Sequence, residues 1–581
     1  MVNNNKFIFY KSNIFYYFLL SIVPLQFFIN GLYAYGDDSI FIDIFRYLEK
    51  SSGFHENFTS LGDSRINSSI GLYPLILFGN LFKFFDYNNL YFQIVYIFFS
   101  FFLSFLSIHF LLKYKFKLSN IVCFIGSFFY TYNIFYSIHF FTIQFVFLKI
   151  FIPLVIFYYL EYSTSNKLKD LSKYLFFLFI LSPAFLNPSV FSAFIFTSFL
   201  IFLIILIKKF LSNESIKIFI FQNFKILILF ILMNFYWLYS FFVDIGHYNT
   251  IYSTSYKVFN SSHLSDSIRL LKPWAWVALK DSAQGIFLNS IFIKLIGTIV
   301  FLITIYYFIL PKQKSPRIKF FTVILGPLFF IYMFILKGNG VPFGYLYEKV
   351  IFLDYYLSVF REPYTKFGPY LIFMFTLFLS FSLNEINKNI INFTVIILLL
   401  IQGFIIFSNN FIYQKPNDNV YSQHYFSHKT WTFKMPNYWK NASDFLNSNL
   451  INTSVVIFPE KTGFYDWDKG LIMSHPEKIL FKRYALTMIQ DEYLNQEEHI
   501  LHKKMIHQFS NLEKIMNENG YGLLLYEDDV MPVSRNFKEQ EIYKNFFNFI
   551  EKGNFELIFS EGKIKIYKIN DKNFKFNLNV L

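Results

Sequence analysis

The sequence predicts a polytopic α-helical membrane protein of about eleven transmembrane helices, followed by an α/β domain on the far side of the membrane from the N-terminus. Three observations predict it. Hydrophobic residues are 55% of the 581-residue chain and charged residues 15%, against roughly 45–50% and about 25% in an ordinary soluble domain. Apolar stretches near twenty residues recur as far as residue 408 and then stop. The short loops between them carry basic clusters that alternate in the way membrane topology requires.

The spans are expected near residues 14–34, 91–112, 119–137, 139–160, 174–191, 193–208, 224–243, 286–310, 320–336, 367–384 and 389–408. Stretches of about twenty apolar residues cross a bilayer as a helix, the form that satisfies every backbone polar group in hydrocarbon. The first, Ile14 to Tyr33, outlasts a signal-peptide core and lacks a small-residue cleavage site before Gly36, so no cleaved leader is expected. Ile70 to Phe85 is shorter and interrupted by Gly71, Pro74, Gly79 and Lys83, and reads as an interfacial or re-entrant helix.

With the N-terminus (Lys6, Lys11) in the cytoplasm, the basic groups Lys113/Lys115/Lys117, Lys167/Lys169/Lys173, Lys208/Lys209/Lys217 and Lys312/Lys314/Arg317/Lys319 all fall inside. The outside receives the long connections, 35–90, 244–285 and 337–366, and everything from 409 to 581. Residues 1–408 thus form the membrane core, and 409–581 an extracytoplasmic α/β domain. In that domain Thr453 to Phe458, Gly522 to Tyr526, Phe555 to Phe559 and Lys563 to Ile569 read as strands, the last two joined at Ser560-Glu561-Gly562. Trp439 to Leu446 and Glu539 to Glu551 read as helices between them.

Several function classes are unsupported. A net charge of +14 would suggest nucleic acid in a soluble protein, but here Lys and Arg report topology first, and no nucleic-acid partner is expected. The single cysteine, Cys123, excludes an intrachain disulfide. No Walker loop, Rossmann fingerprint, nucleophile elbow, HExxH or CxxC occurs. The abundance of Phe and Tyr fits the codon bias of an AT-rich genome, so aromatic counts carry little functional information. Sequons at Asn57, Asn67, Asn260, Asn441 and Asn452 fall outside, and that at Asn213 inside, but an Asn-rich chain forms them by chance.

The residues with chemical potential cluster in the external loops. Asp37 and Asp38 follow the first span, where repulsion between adjacent carboxylates tends to raise the pKa of one and favours a base or a metal ligand; on charge alone an ordinary acidic helix start is the commoner explanation. Lys337 opens Gly338-Asn339-Gly340-Val341-Pro342-Phe343-Gly344, a turn whose backbone amides can face an anion. Phe360-Arg361-Glu362-Pro363 and Lys366 then place cations outside the next span, where positional anchoring is least favoured. Lys149 lies within a span, where an ionisable residue is a functional candidate by default. Glu362, Lys149, His263 and Trp274 are candidates for substrate binding, although interfacial tryptophans are commonly anchors.

An acidic pair opening the first external loop of a many-helix core resembles the GT-C class of glycosyltransferases. Asn234-Phe235-Tyr236-Trp237-Leu238, Gly338 to Gly344, Phe360-Arg361-Glu362-Pro363 with Lys366-Phe367-Gly368, and Met435-Pro436-Asn437-Tyr438-Trp439 together resemble the AftD-type arabinofuranosyltransferase-related membrane proteins. Well-known members are longer and carry carbohydrate-binding modules. The resemblance implies a polyprenyl-phosphate sugar donor, a glycan or glycolipid acceptor and a membrane-lipid environment in the cell envelope. It implies Asp37 or Asp38 as general base in an inverting transfer, and Arg361 with Lys366 or Lys337 on the leaving phosphate. The carboxylate pair can alternatively hold Mg²⁺ or Mn²⁺. A flippase for a lipid-linked precursor and a non-enzymatic envelope-assembly protein remain the competing readings.

Overall fold

A computed structural model describes residues 3–27, 32–33, 89–133, 143–186, 188–252, 291–309, 315–340, 342–351, 363–386, 432–433, 435–448, 454–458, 508–527 and 555–569, with shorter stretches between them. Among the described residues six helices are long and apolar enough to cross a membrane, and three shorter apolar helices accompany them. The chain is a multi-pass membrane protein. The expected span at 389–408 and the segment Ile70 to Phe85 lie largely outside the described residues.

Helix α1 (Asn3–Ile22) starts earlier than expected and passes into a 3-10 turn over Val23–Phe27, because Pro24 has no amide to continue the ladder. α2 (Asn89–Phe110) ends in a π turn at Leu111–Lys115. α3 (Asn120–Thr131) is only 12 residues long and stops before Asn133, whose side chain accepts from the Phe135 amide. α4 (Ile143–Ser165) is long and apolar enough to cross a membrane. The expected span 174–191 is instead α5 (Leu168–Ile180) followed by a 3-10 turn, Ser182–Leu186. Pro183 and Pro188 explain the break, and Pro188 opens α6 (Pro188–Leu211).

α7 (Ile216–Tyr252), α8 (Ile291–Ile309) and α9 (Pro316–Leu336) follow, then the short α10 (Gly344–Ile351) and α11 (Pro363–Glu385). α11 is the axis of the bundle. It packs against α3, α4, α6, α8 and α9, and nearly every residue of it is buried. A helix apolar all round belongs in such a position. At Gly126 of α3 an added Cβ would lie 2.3 Å from Ser380 Oγ of α11, so glycine sets that close approach.

The basic loops meet at one end of the bundle. Arg317 pairs with Glu161 (Nε to Oε1, 3.1 Å) and donates from Nη1 to the Lys115 carbonyl at 3.0 Å. This joins the end of α2, the end of α4 and the start of α9. The other end carries β1 (Leu32–Tyr33), which pairs antiparallel with β2 (Thr432–Phe433) and ties the chain after α1 to the chain that begins the strand-bearing region.

That region holds α12 (Asn437–Ser448), β3 (Ser454–Phe458), the hairpin β4 (Phe464–Trp467) and β5 (Gly470–Met473), β6 (Ala485–Leu486), α13 (Leu512–Glu518), β7 (Tyr521–Glu527), β8 (Phe555–Glu561) and β9 (Ile564–Ile569). The larger sheet runs β6-β3-β7-β9-β8, with β6, β3 and β7 parallel and β9 antiparallel to both neighbours. Strand alternation feeds two cores: Val455, Ile457, Leu523 and Leu525 with Trp439, and Val456, Phe458 and Leu524 with Ile515 and Phe546. Gly562, at φ +55°, makes the turn expected between β8 and β9.

Candidate functional site

The end of the bundle away from the Arg317–Glu161 pair gathers the lysines singled out from the sequence. Lys149 lies 12 positions before Glu161 on α4, about 18 Å at 1.5 Å per residue. Lys366 is in the first turn of α11, far from Glu385, and Lys337 follows the last residue of α9, far from Arg317. These three are buried, at 1%, 8% and 0% exposure.

Lys149 has an environment built by its neighbours. Pro153, four residues on, cannot donate to the Lys149 carbonyl. The Tyr130 hydroxyl takes that bond at 2.8 Å, and its oxygen lies 3.2 Å from that of Tyr136. The ammonium lies 3.7 Å from the Phe101 ring centroid and 5.6 Å from that of Tyr136, which is cation–π geometry. It has no hydrogen-bond partner among the described residues, and neither has the buried hydroxyl of Tyr370. The sequence singled out Lys149 by its place in a span, but not Tyr130, Tyr136 or Phe101. In a chain with 43 tyrosines and 86 phenylalanines no local signal marks them.

Lys337 differs. Its ammonium donates to the carbonyls of Gly340 at 2.8 Å and Gly338 at 3.4 Å and lies 4.2 Å from the Phe334 ring centroid. Burial holds it below the usual lysine range. The turn is closed upon itself: the Gly338 and Gly340 amides donate to the carbonyls of Ile335 and Lys337. A Cβ on Gly344 would fall 1.8 Å from the Asn339 carbonyl oxygen, so the turn requires glycine there. Two of the amides expected to face an anion are therefore occupied within the turn. Tyr347 of α10 donates to the Phe360 carbonyl at 2.8 Å, anchoring the chain that leads to α11.

Lys366 is flanked by Thr365 and Phe367, and the Phe367 ring packs against Phe360 (5.3 Å) and Tyr332 (5.3 Å). Asp37, Asp38, Arg361, Glu362, His263 and Trp274 lie outside the described residues. The expectation of Mg²⁺ or Mn²⁺ at Asp37 and Asp38 lies there with them. Among the described residues no group of three or more His, Cys, Asp or Glu could hold a metal ion.

No protein-family model matches the chain, and no curated protein matches it. Solved structures do. The arabinofuranosyltransferase AftD from Mycobacteria superposes on 96% of this chain with a TM-score of 0.64 at 11% identity. A mutant of that enzyme covers 97% with a TM-score of 0.63 at 9% identity. The chain spans 40% and 42% of the length of those two proteins. At such identity the likeness is one of fold, and over 96–97% of its length the fold of this chain is similar to that of an arabinofuranosyltransferase.

Proposed function

We propose that the protein is a membrane glycosyltransferase that moves a sugar from a polyprenyl-phosphate donor to a glycan or glycolipid acceptor at the outer face. The observation that carries this reading is the AftD-like fold over 96% of the chain. The bundle end bearing β1, β2 and the buried lysines is taken as the outer end, and the basic end as cytoplasmic.

In the proposed reaction Asp37 or Asp38 removes the proton of the acceptor hydroxyl. That oxygen attacks the anomeric carbon from the face opposite the lipid phosphate. The bond to the phosphate oxygen breaks, the electron pair leaves with the polyprenyl phosphate, and the anomeric centre inverts. Arg361 and Lys366 offset the charge developing on the leaving phosphate, commonly the largest catalytic contribution. Lys337 supports them by holding the glycine turn closed. The β1–β2 pair, four residues before Asp37, supports a role for the strand-bearing region in holding the acidic loop.

The test is transfer from a polyprenyl-phosphoryl sugar in membranes carrying Asp37→Ala or Asp38→Ala. At least one variant loses transfer while remaining folded; full transfer in both removes the proposal. A second reading, a flippase for a lipid-linked precursor, is favoured by Lys149, a cation buried in a span without a hydrogen-bond partner among the described residues. Lipid movement across proteoliposomes without glycosidic product would select it.

A further inference from the structure

The basic end of the bundle contains a cleft that the proposed reaction does not use. It has a volume of about 510 Å³ and lies between the ends of α2, α8 and α11 and the starts of α3 and α9. Its walls are of two kinds. Phe116, Leu118, Tyr307, Ile318 and Phe381 form an apolar interior, and Lys115, Lys117, Ser315, Arg317, Asn384 and Glu385 form a polar rim.

The rim is not uniformly available. Arg317 holds Glu161 through Nε and Nη2, at 3.1 and 3.2 Å, and its charge is matched there. Asn384 accepts the Ser119 amide at 3.2 Å. Lys115 and Lys117 remain. Neither ammonium makes a hydrogen bond or a close ion pair among the described residues; that of Lys115 lies 5.6, 5.3 and 5.6 Å from the Phe110, Phe157 and Tyr158 ring centroids and is attracted at longer range by Glu161 and Asp170. The start of α9 adds one donor. Pro316 has no N–H and Ser315 Oγ caps the Ile318 amide at 3.3 Å, so the first-turn amide left over is that of Arg317. The apolar interior is rigid: the Phe116 ring stands edge-on to Phe157, Phe321 and Phe381 at 6.1, 5.0 and 5.0 Å.

An apolar slot between helix ends, rimmed by two lysines and a helix start, matches an amphiphile with an anionic head. We propose that this cleft binds an anionic phospholipid of the surrounding leaflet, its phosphodiester held by Lys115, Lys117 and the start of α9, its chains along Phe116 and Phe381. The Glu385 carboxylate also lines the cleft.

The test uses the full-length protein in a neutral detergent. Mixed micelles of phosphatidylglycerol, of phosphatidylcholine, and inorganic phosphate are titrated separately, with melting temperature and native mass spectrometry as readouts. Phosphatidylglycerol raises the melting temperature and stays bound, and the other two do not. At roughly one surface-lysine increment each, Lys115→Gln with Lys117→Gln weakens phosphatidylglycerol binding about thirtyfold. Lys167→Gln with Lys169→Gln leaves it unchanged. Should the first pair fail to fold, exposed Lys117→Gln alone weakens binding about fivefold. Equal effects of phosphate and phosphatidylglycerol make this a free-anion site and overturn the lipid proposal. Equal weakening in the Lys167/Lys169 pair, or none at Lys117, overturns the site itself.

Discussion

The two ends of the helical bundle use the same residue types in opposite ways. At the basic end the cations are surface groups: Arg317 is forked onto Glu161, and Lys209 donates to Glu214 at 2.7 Å. At the other end Lys149, Lys337 and Lys366 are buried. The first arrangement is what any loop between membrane helices adopts, because water and short acids satisfy the charges. The second is costly in a bilayer and persists only where something offsets it. At Lys337 the offset is two glycine carbonyls; at Lys149 it is the rings of Phe101 and Tyr136. The difference teaches that a buried lysine here is either a strut or a group kept for a ligand, and that geometry separates them.

Four substitutions test that contrast. The largest effect is expected from Gly344→Ala. Its methyl would overlap the Asn339 carbonyl, a backbone atom that cannot step aside, so the turn must open and release Lys337. The expected loss is about 3 kcal/mol or more, read as a fall in melting temperature in detergent, with a matching fall in transfer. Lys149→Met sharpens the distinction from the other direction. Replacing a buried cation by an apolar chain of like volume raises stability by about 1–4 kcal/mol, while transfer or lipid movement declines. A destabilised variant would instead make Lys149 a strut like Lys337.

Arg317→Ala tests the wet end. An exposed pair contributes roughly 0.2–1 kcal/mol, so the melting temperature falls slightly and transfer is retained. A large loss would show that the tie between α2, α4 and α9 governs the bundle. The smallest effect is a pH dependence. The hydrogen bond from Lys209 holds the Glu214 carboxyl below the usual carboxylate range. A carboxylate with a lowered folded pKa stabilises the fold above its unfolded pKa, and that contribution disappears as pH falls through the lowered value. Being exposed, it amounts to less than about 1 kcal/mol, so wild type should be slightly more stable than Glu214→Gln above the ordinary carboxylate range, and the difference should disappear as acid titration passes below it.

Much of this was legible beforehand. The spans around α2, α4, α6, α7, α9 and α11 follow from apolar length alone, and the strands β3, β7, β8 and β9 from alternation and the glycine turn. The expected span 174–191 was not, because hydropathy does not register that Ser182-Pro183 breaks the helix into α5 and a 3-10 turn. Nor was the state of the glycine turn after α9. Its glycines were visible, but that two of its amides and the Lys337 ammonium are spent within the turn depends on how the chain folds back. The partners of Lys149 were hidden for a different reason: Tyr130, Tyr136 and Phe101 come from α2 and α3 and the chain beyond it, and their identity is unremarkable where aromatic residues are everywhere.

By itself, the sequence determined that this chain lives in a membrane and which loops share a side. Both follow from the free energy of moving side chains and backbone between water and hydrocarbon, which is local and additive enough to read along a chain. Only the tertiary structure decided that α11 is the axis, that β1 and β2 tie the chain after α1 to the start of the strand-bearing region, and which lysines are spent and which are kept. Those facts depend on contacts between residues far apart in sequence, where sterics and hydrogen-bond geometry rather than transfer energy choose the partner.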